Sequence, residues 1–318
     1  MPHGPVYPFD DERDMADAER GFIAALTPGV VRNPAGQVIW DNDSYSFLAG
    51  DAPDTVDPSL WRQSALCAKQ GLFEVTEGIY QVRGLDLSNV SFVEGDAGVV
   101  VIDPLICTET AAAALGLYRA HRGERPVTGV IYTHSHVDHF GGVKGVISQQ
   151  QVDAGVPVIA PEGFLEPAIA ENIYAGTAMT RRAGYMYGAA LPPGPRGGVG
   201  AGLGQTTSTG TVSLIVPTVD ITATGQELTV DGVRMVFQLA PGTEAPAEMH
   251  FLFPDRKARA GDVTTTIIVP RAALGALAAG DLGVARAAGL TLDGEAAAVQ
   301  QFLGLLQRGN PAFNIVEP

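Results

Sequence analysis

The most informative feature of the chain is a short run rich in histidine and aspartate that follows an apolar segment. The run contains His134, His136, Asp138 and His139, and the whole 318-residue chain has only six histidines. The preceding residues 127–132 are β-branched and aromatic and predict a buried strand, and two glycines after the run indicate a turn. Imidazole with carboxylate is a ligand set that suits zinc and its first-row neighbours. The run therefore predicts a metal site, whereas isolated histidines of this kind would be solvated loop residues.

Composition limits the partners that such a chain can have. Apolar residues make up 46% and charged residues 17%, which is typical of a globular protein, and the formal net charge is −15. An acidic surface disfavours nucleic acid and anionic membranes. We see no apolar stretch that could span a bilayer and no secretory signal, and two cysteines, Cys67 and Cys107, cannot form a disulfide framework. We therefore expect a cytoplasmic protein without nucleic-acid partners or membrane spans.

Strand and helix patterns alternate through the middle of the chain, which predicts an α/β layered core. A hairpin is expected at Asp231-Gly232, and the glycine- and proline-rich residues 189–210 exclude regular structure. The other expected elements are a short surface helix within 10–30, mostly loop over 36–58, four short strands between 73 and 103, a helix from Thr108 to His121 capped by Thr108, a helix over about 140–153, a strand over 156–160 and a helical segment over 162–187.

Changes in these patterns divide the chain into three parts. Residues 1–70 form an N-terminal extension with a short helix and loops, and residues 71–258 carry the layered core. Residues 259–318 predict a strand over 263–269 and helices over 271–279 and 295–307. About sixty residues is close to the lower limit for an independent core.

The spacing of the His run suggests two metal positions. His134 and His136 leave the strand end on the same side, so both can reach one metal. Asp138 and His139 follow the turn and can reach a second metal. Two metals several ångströms apart could activate a water molecule and neutralise a leaving oxygen. We therefore predict that Asp138 is a catalytic residue as well as a ligand.

Further ligands have to come from elsewhere in the chain. Glu244 follows a strand in a turn stiffened by glycine and proline, which makes it a candidate ligand, although a solvated loop glutamate is the alternative. Glu248 and His250 are weaker candidates. Asp262 could supply a bridging carboxylate or could cap a turn.

Other polar residues could act around the ligands. Asp103 ends a buried strand, where it could orient a ligand histidine or begin a turn before Pro104. A helical segment with two arginines and two tyrosines precedes the glycine-rich loop. Arg182 would suit a sulfate or phosphate oxygen and Tyr185 an apolar wall with a polar tip, although surface helix positions explain them nearly as well.

The His-x-His-x-Asp-His run resembles the signature of the metallo-β-lactamase fold. Four further segments, together with a general likeness over residues 10–257, resemble the alkyl sulfatases of this fold; they are 171–176, 181–188, 200–204 and 242–249. The resemblance implies an αββα sandwich with two zinc ions that hydrolyses long-chain alkyl sulfate esters to alcohol and sulfate. It implies His134, His136 and Glu244 on one zinc, with Asp138 and His139 on the other. Glutamate then replaces the histidine that most of the superfamily uses.

The likeness stops near Lys257. Alkyl sulfatases continue with a glutamate that bridges the metals, an arginine that grips the sulfate, a further histidine ligand, a dimerisation domain and a sterol-carrier-like domain. Residues 261–318 resemble only the last half of that final domain, a small α+β fragment. The resemblance thus implies an incomplete sandwich with a large internal deletion. By position Asp262 could take the bridging role, although its flanks match the carrier-like segment better.

These departures set the functional expectations. The second zinc has two matched ligands, so the chain could hold one zinc rather than two. We therefore expect weak or absent sulfatase activity. The resemblance also allows a homodimer. A small-molecule alkyl sulfate or similar ester is the expected substrate. The alternatives are a non-catalytic remnant that binds metal or an apolar ligand, and a hydrolase of this fold that acts on another ester or a lactone.

Overall fold

The computed structural model describes residues 12–256, 265–269, 273, 276 and 281–294. The chain forms two compact units, residues 1–258 and 259–318. Within the described residues, no helix has both the length and the apolar character needed to cross a membrane.

The first unit is built on a mixed eight-stranded sheet with the order β1-β4-β5-β6-β7-β8-β9-β10. The strands from β1 to β7 pair antiparallel, and β7, β8, β9 and β10 pair parallel. Its strands are β1 (Phe22–Ala24), β4 (Gly71–Thr76), β5 (Ile79–Arg83), β6 (Val90–Glu94), β7 (Val99–Ile102), β8 (Val127–Ile131), β9 (Val158–Pro161) and β10 (Val219–Ile221), while β2 (Val30–Arg32) and β3 (Val38–Asp41) form a separate ribbon.

A second, antiparallel sheet of three strands contains β11 (Glu227–Val230), β12 (Val233–Leu239) and β13 (Met249–Leu252). The predicted hairpin between β11 and β12 is confirmed, because Val230 pairs with Val233 across Asp231 and Gly232. Both turn residues have positive φ, of 49° and 76°, which is the conformation that Asp-Gly favours in a two-residue hairpin loop.

Two apolar cores hold the layers of the first unit together. One core lies between the two sheets, where Ile131 and Ile159 of the main sheet meet Met235 and Phe237 of the second. The other core covers the opposite face of the main sheet and includes helix α3 (Thr108–Arg122). The near-continuous burial of β7 and β9 follows from this position, since parallel strands covered on both faces are apolar throughout. The predicted α/β layered core is confirmed.

The helices differ in part from the prediction. The expected helix over 140–153 is wrong: it is a 3₁₀ turn (Val143–Gly145) followed by α4 (Gln149–Asp153), which begins at a Ser148 capping box. The cap of α3 is Cys107 rather than Thr108. The remaining helices are α1 (Arg13–Glu19), a 3₁₀ helix (Asp43–Ala49), α2 (Pro58–Cys67), a 3₁₀ turn (Val137–His139), α5 (Leu165–Ile169), a π-helical turn (Ala170–Tyr174) and α6 (Gly176–Tyr187).

The glycine pair explains why residues 140–153 do not form one helix. A Cβ atom on Gly141 would lie 2.3 Å from the Ile106 carbonyl oxygen, and one on Gly142 would lie 2.1 Å from that of Pro104. The turn therefore packs directly on the backbone of another loop, and this tertiary contact overrides local helix preference. Residues 36–58, predicted as mostly loop, contain β3 and the 3₁₀ helix, whereas residues 189–210 contain no helix or strand, as predicted.

The second unit contains a two-stranded antiparallel ribbon, Thr265–Ile268 with Thr291–Gly294, and a short helix, Leu282–Ala287. The predicted strand over 263–269 is confirmed for its described part. The helix predicted over 295–307 lies outside the described residues, and only Ala273 and Ala276 of the helix predicted over 271–279 are described. Asp262, the candidate bridging ligand, also lies outside the described residues.

Candidate metal centre

The candidate ligands meet at one edge of the main sheet. Asp103 follows β7 and the His run follows β8, and the carboxyl ends of parallel strands lie at the same edge. The second sheet adds the loop between β12 and β13, because Leu239 pairs with Met249 and the Met249 amide donates to the Thr133 carbonyl at 2.9 Å. Glu244, which is distant in sequence, thereby reaches the His run.

Three side chains form a compact donor cluster. The ligand atoms of His134, His136 and Glu244 all lie within 4.8 Å of one another. Glu244 Oε1 is 3.8 Å from His134 Nε2 and 3.8 Å from His136 Nδ1. Tetrahedral zinc ligands at their usual bond lengths are separated by roughly 3.3 Å, so small rotations would close the cluster on one ion.

His134 supplies the clearest sign that this cluster suits a metal. Its Nδ1 atom lies 2.9 Å from Thr133 Oγ1, which leaves Nε2 as the atom that faces the cluster. That Nε2 atom is buried and has no hydrogen-bond partner within the described residues. A buried polar atom without a partner costs free energy, and a divalent ion would satisfy it. Burial and the neighbouring His139 both lower the pKa of His134, which favours the neutral form that binds metals.

Asp138 and His139 form a second donor pair next to this cluster. Asp138 Oδ2 is 3.2 Å from His139 Nε2, and the rings of His134 and His139 have centroids 4.0 Å apart. Burial opposes the charge on His139, but the carboxylates of Asp103 and Asp138 outweigh it and raise the pKa of His139 to about 10. Metal binding there would release the imidazole proton. The described residues thus bring together five of the six predicted ligands.

Asp103 contacts these candidate ligands from outside both clusters. Its Oδ2 atom lies 2.9 Å from His139 Nδ1, and its carboxylate accepts hydrogen bonds from the Thr133 amide and hydroxyl, both at 2.8 Å. The Thr133 hydroxyl in turn contacts His134. Asp103 has φ 55°, a conformation that aspartate and asparagine tolerate better than most residues. The first alternative for Asp103, orientation of a ligand histidine, agrees with these contacts.

We expect Asp103→Asn to weaken metal binding without unfolding the chain. Asparagine tolerates the left-handed backbone but removes the negative charge that orients His139. Loss of such a partner costs about 10–100-fold in metal affinity. Zinc affinity measured by chelator competition tests this, with Asp153→Asn on the exposed end of α4 as control. An affinity equal to that of the unchanged chain would contradict the role of Asp103.

Glu248 holds the loop that carries Glu244. It is 5% exposed, and its Oε2 atom accepts hydrogen bonds from the amides of Glu244, at 2.6 Å, and Ala245, at 3.2 Å. Its backbone also forms an isolated bridge with His134. The weaker expectation that Glu248 and His250 are ligands is not supported by this geometry, because Glu248 is engaged by the loop and the His250 side chain is 63% exposed.

The segment from α5 to α6 approaches the centre at Glu171 and Tyr187. Glu171 Oε2 is 3.9 Å from His136 Nε2, and the charge of Asp138, after burial, raises the pKa of Tyr187. The charge of Arg182 opposes this rise in the pKa of Tyr187. The other candidate substrate contact, Tyr185, is 86% exposed. For Glu171, the only signal in the sequence is the resemblance of its segment to alkyl sulfatases. Tyr187 is one of the two tyrosines in the helical segment whose arginines and tyrosines the sequence already offers as substrate contacts.

This set of imidazole and carboxylate donors on a layered α/β fold is typical of proteins that bind a divalent metal. Residues 83–293 match the metallo-beta-lactamase superfamily, and the chain belongs to that superfamily. The resemblance and the fold that the His run indicated are thereby confirmed.

Several relatives are alkylsulfatases. The chain is 55% identical over 265 residues to a linear primary-alkylsulfatase of Pseudomonas sp. (82% of this chain, 39% of the relative). It is 50% identical over 261 residues to the alkyl/aryl-sulfatase BDS1 of Saccharomyces cerevisiae (81% and 40%). The solved structure of the stereoselective inverting sec-alkylsulfatase Pisa1 from Pseudomonas sp. superposes with a TM-score of 0.75 at 49% identity (78% and 39%). The chain therefore spans about two fifths of the length of these relatives.

Proposed function

We propose that the centre hydrolyses alkyl sulfate esters to an alcohol and sulfate, with zinc as the divalent metal. The observation that carries this proposal is the His134–His136–Glu244 cluster, whose buried imidazole nitrogen has no hydrogen-bond partner among the described residues. Identities of 49–55% to alkylsulfatases over about four fifths of the chain support the substrate class.

The residues have distinct roles in this proposal. His134, His136 and Glu244 would hold one ion, and Asp138 with His139 would hold a second. When bound, such ions supply Lewis-acid activation of water and neutralise charge on the ester oxygens. Asp138 is the catalytic residue of the second pair. Burial disfavours its charge, but the hydrogen bond and charge of His139 lower its pKa, so it is an anion at neutral pH.

The segment beside the centre suits an alkyl chain. Ile173, Tyr174 and Met186 of this segment are 71%, 86% and 69% exposed. Exposed apolar surface of this kind marks binding sites for apolar groups. Arg182 offers a guanidinium that suits sulfate oxygens, and we assign it and Tyr185 to substrate contacts.

We also propose a compartment and partners for the protein. The two free cysteines suit a reducing compartment, and we propose the cytoplasm. The net charge of −15 supports the absence of a nucleic-acid partner. A homodimer is proposed from the resemblance to alkyl sulfatases.

The direct test is sulfate release from dodecyl sulfate by the zinc-loaded chain. We expect slow release that a chelator abolishes and added zinc restores. The rate should be low because the resemblance to alkyl sulfatases stops near Lys257, before the bridging glutamate and the sulfate-binding arginine. Zinc-dependent cleavage of lactones or carboxylic esters without sulfate release would contradict the proposed substrate class. Zinc binding without any turnover would contradict hydrolysis altogether.

A further inference from the structure

Asp86, which sequence reasoning did not single out, is a buried carboxylate at the centre of three loops. It is 2% exposed and follows β5. Its Oδ1 atom accepts hydrogen bonds from the amides of Leu87, at 2.9 Å, and Ser208, at 3.1 Å. Its Oδ2 atom accepts from the Ile106 amide at 3.2 Å and from the hydroxyls of Thr110, at 2.9 Å, and Ser208, at 2.6 Å. Burial raises the pKa of Asp86, and the five donors offset part of that cost.

One of these loops is linked directly to the metal centre. Two residues after Asp86, the Ser88 hydroxyl donates to the backbone carbonyl of Asp138. Asp138 lies in the 3₁₀ turn Val137–His139, so this hydrogen bond holds the backbone that presents Asp138 and His139. Ser88 is only 9% exposed, and water therefore competes poorly for the bond.

The other two loops contact Gly141, two residues after the same turn. The Ile106 carbonyl packs against Gly141, while the Ile106 amide donates to Asp86. The chain that continues from Ser208 reaches the same glycine through Ser213. The amide and hydroxyl of Ser213 donate to the Gly141 carbonyl at 2.6 and 2.8 Å.

We propose that Asp86 is a positioning residue for the second donor pair, and that it acts through Ser88 on the backbone of Asp138. The inference rests on the proposed role of Asp138 and His139 as metal ligands. A carboxylate is suited to this task because all five groups around it are donors. No neutral side chain of this size offers two oxygen atoms that both accept hydrogen bonds.

The variants Asp86→Asn and Ser88→Ala test the link from both ends. In Asp86→Asn, the amide nitrogen fits best at the Oδ2 side, where the Thr110 and Ser208 hydroxyls can rotate to accept, so only the Ile106 amide loses its partner. Ser88→Ala removes a single hydroxyl and keeps Asp86 intact, so it remains informative if Asp86→Asn fails to fold. Ser44→Ala is the matched control, since its hydroxyl donates to the Asp41 carbonyl at 2.9 Å in the 3₁₀ helix after β3.

The readout is zinc affinity of the full chain, measured by competition with a chromogenic chelator that resolves two binding steps. We expect each variant to weaken the second step about tenfold, with the first step unchanged, because residues that orient ligands contribute about 10–100-fold to metal affinity. The double variant should lose less than the product of the two single losses, as expected for residues in one chain of contacts. Ser44→Ala should bind as the unchanged chain does.

The outcomes separate this inference from the proposed function. An unchanged chain that binds a single zinc ion would overturn both the second metal position and the inference. Two zinc ions in the unchanged chain, with an unaltered second step in Ser88→Ala, would overturn the inference alone. Losses that multiply in the double variant would overturn the route through Ser88.

Discussion

Replacing His134 with alanine should remove tight zinc binding and lower kcat/KM for alkyl sulfate hydrolysis by about a thousandfold or more. His134 is 4% exposed, and its Nε2 atom faces Glu244 without a hydrogen-bond partner in the part of the chain that the structure describes. A metal contributes several kcal/mol of charge stabilisation to hydrolysis, and each 1.36 kcal/mol corresponds to about tenfold in rate. Loss of one of three ligands forfeits most of that contribution. The measurements are zinc content after dialysis and sulfate release under saturating zinc.

The matched control for this variant is His121→Ala. His121 lies at the exposed end of α3, outside the donor clusters, so zinc content and activity should both stay at the level of the unchanged chain. A His134→Ala chain that retains its zinc and its rate would show that the cluster is not the metal centre. Equal losses in the two variants would point to a general effect of histidine removal instead.

The grouping of the candidate ligands that are near one another in sequence was predictable because local geometry determines their position. A buried strand followed by His134, His136, Asp138 and His139 can direct these side chains only toward the strand's carboxyl end. Glu244 was reached by the same reasoning, since it follows a strand in a rigid turn. Its approach to the His run depends on the pairing of the second sheet, which spacing alone does not encode.

The supporting residues could not be found in this way. Asp86 looks in sequence like an ordinary loop aspartate, and its partners Ile106 and Ser208 lie 20 and 122 residues away. Glu171 likewise approaches His136 from the π-helical turn between α5 and α6. The glycine pair 141–142 predicts a turn into a helix, whereas in the structure it packs closely against the backbone of another loop. These contacts are set by tertiary packing, for which a single sequence carries no periodic signal.

Helix α3, which covers the main sheet, was predictable from the sequence, and replacing its buried tyrosine should greatly lower the stability of the fold. We expect Tyr118→Ala to lower the free energy of unfolding by about 3–5 kcal/mol, the usual cost of removing a buried aromatic ring. The Tyr118 side chain is fully buried, stacks on Phe92 with ring centroids 4.7 Å apart, and donates to Glu94 at 3.0 Å. Its removal leaves a cavity between α3 and the main sheet that the surrounding strands cannot fill.

Two further substitutions divide this loss into its parts. Tyr118→Phe keeps the ring and removes only the hydrogen bond, so it should cost about 1 kcal/mol, because Arg122 continues to pair with Glu94. Tyr185→Ala removes an aromatic ring that is 86% exposed and should change stability by less than about 0.5 kcal/mol. Urea unfolding followed by the fluorescence of the buried Trp40 and Trp61 gives all three values. Similar losses for Tyr118→Ala and Tyr185→Ala would mean that α3 does not pack on the sheet as described, and the ligands at the sheet edge would then lack the rigid support on which the metal centre depends.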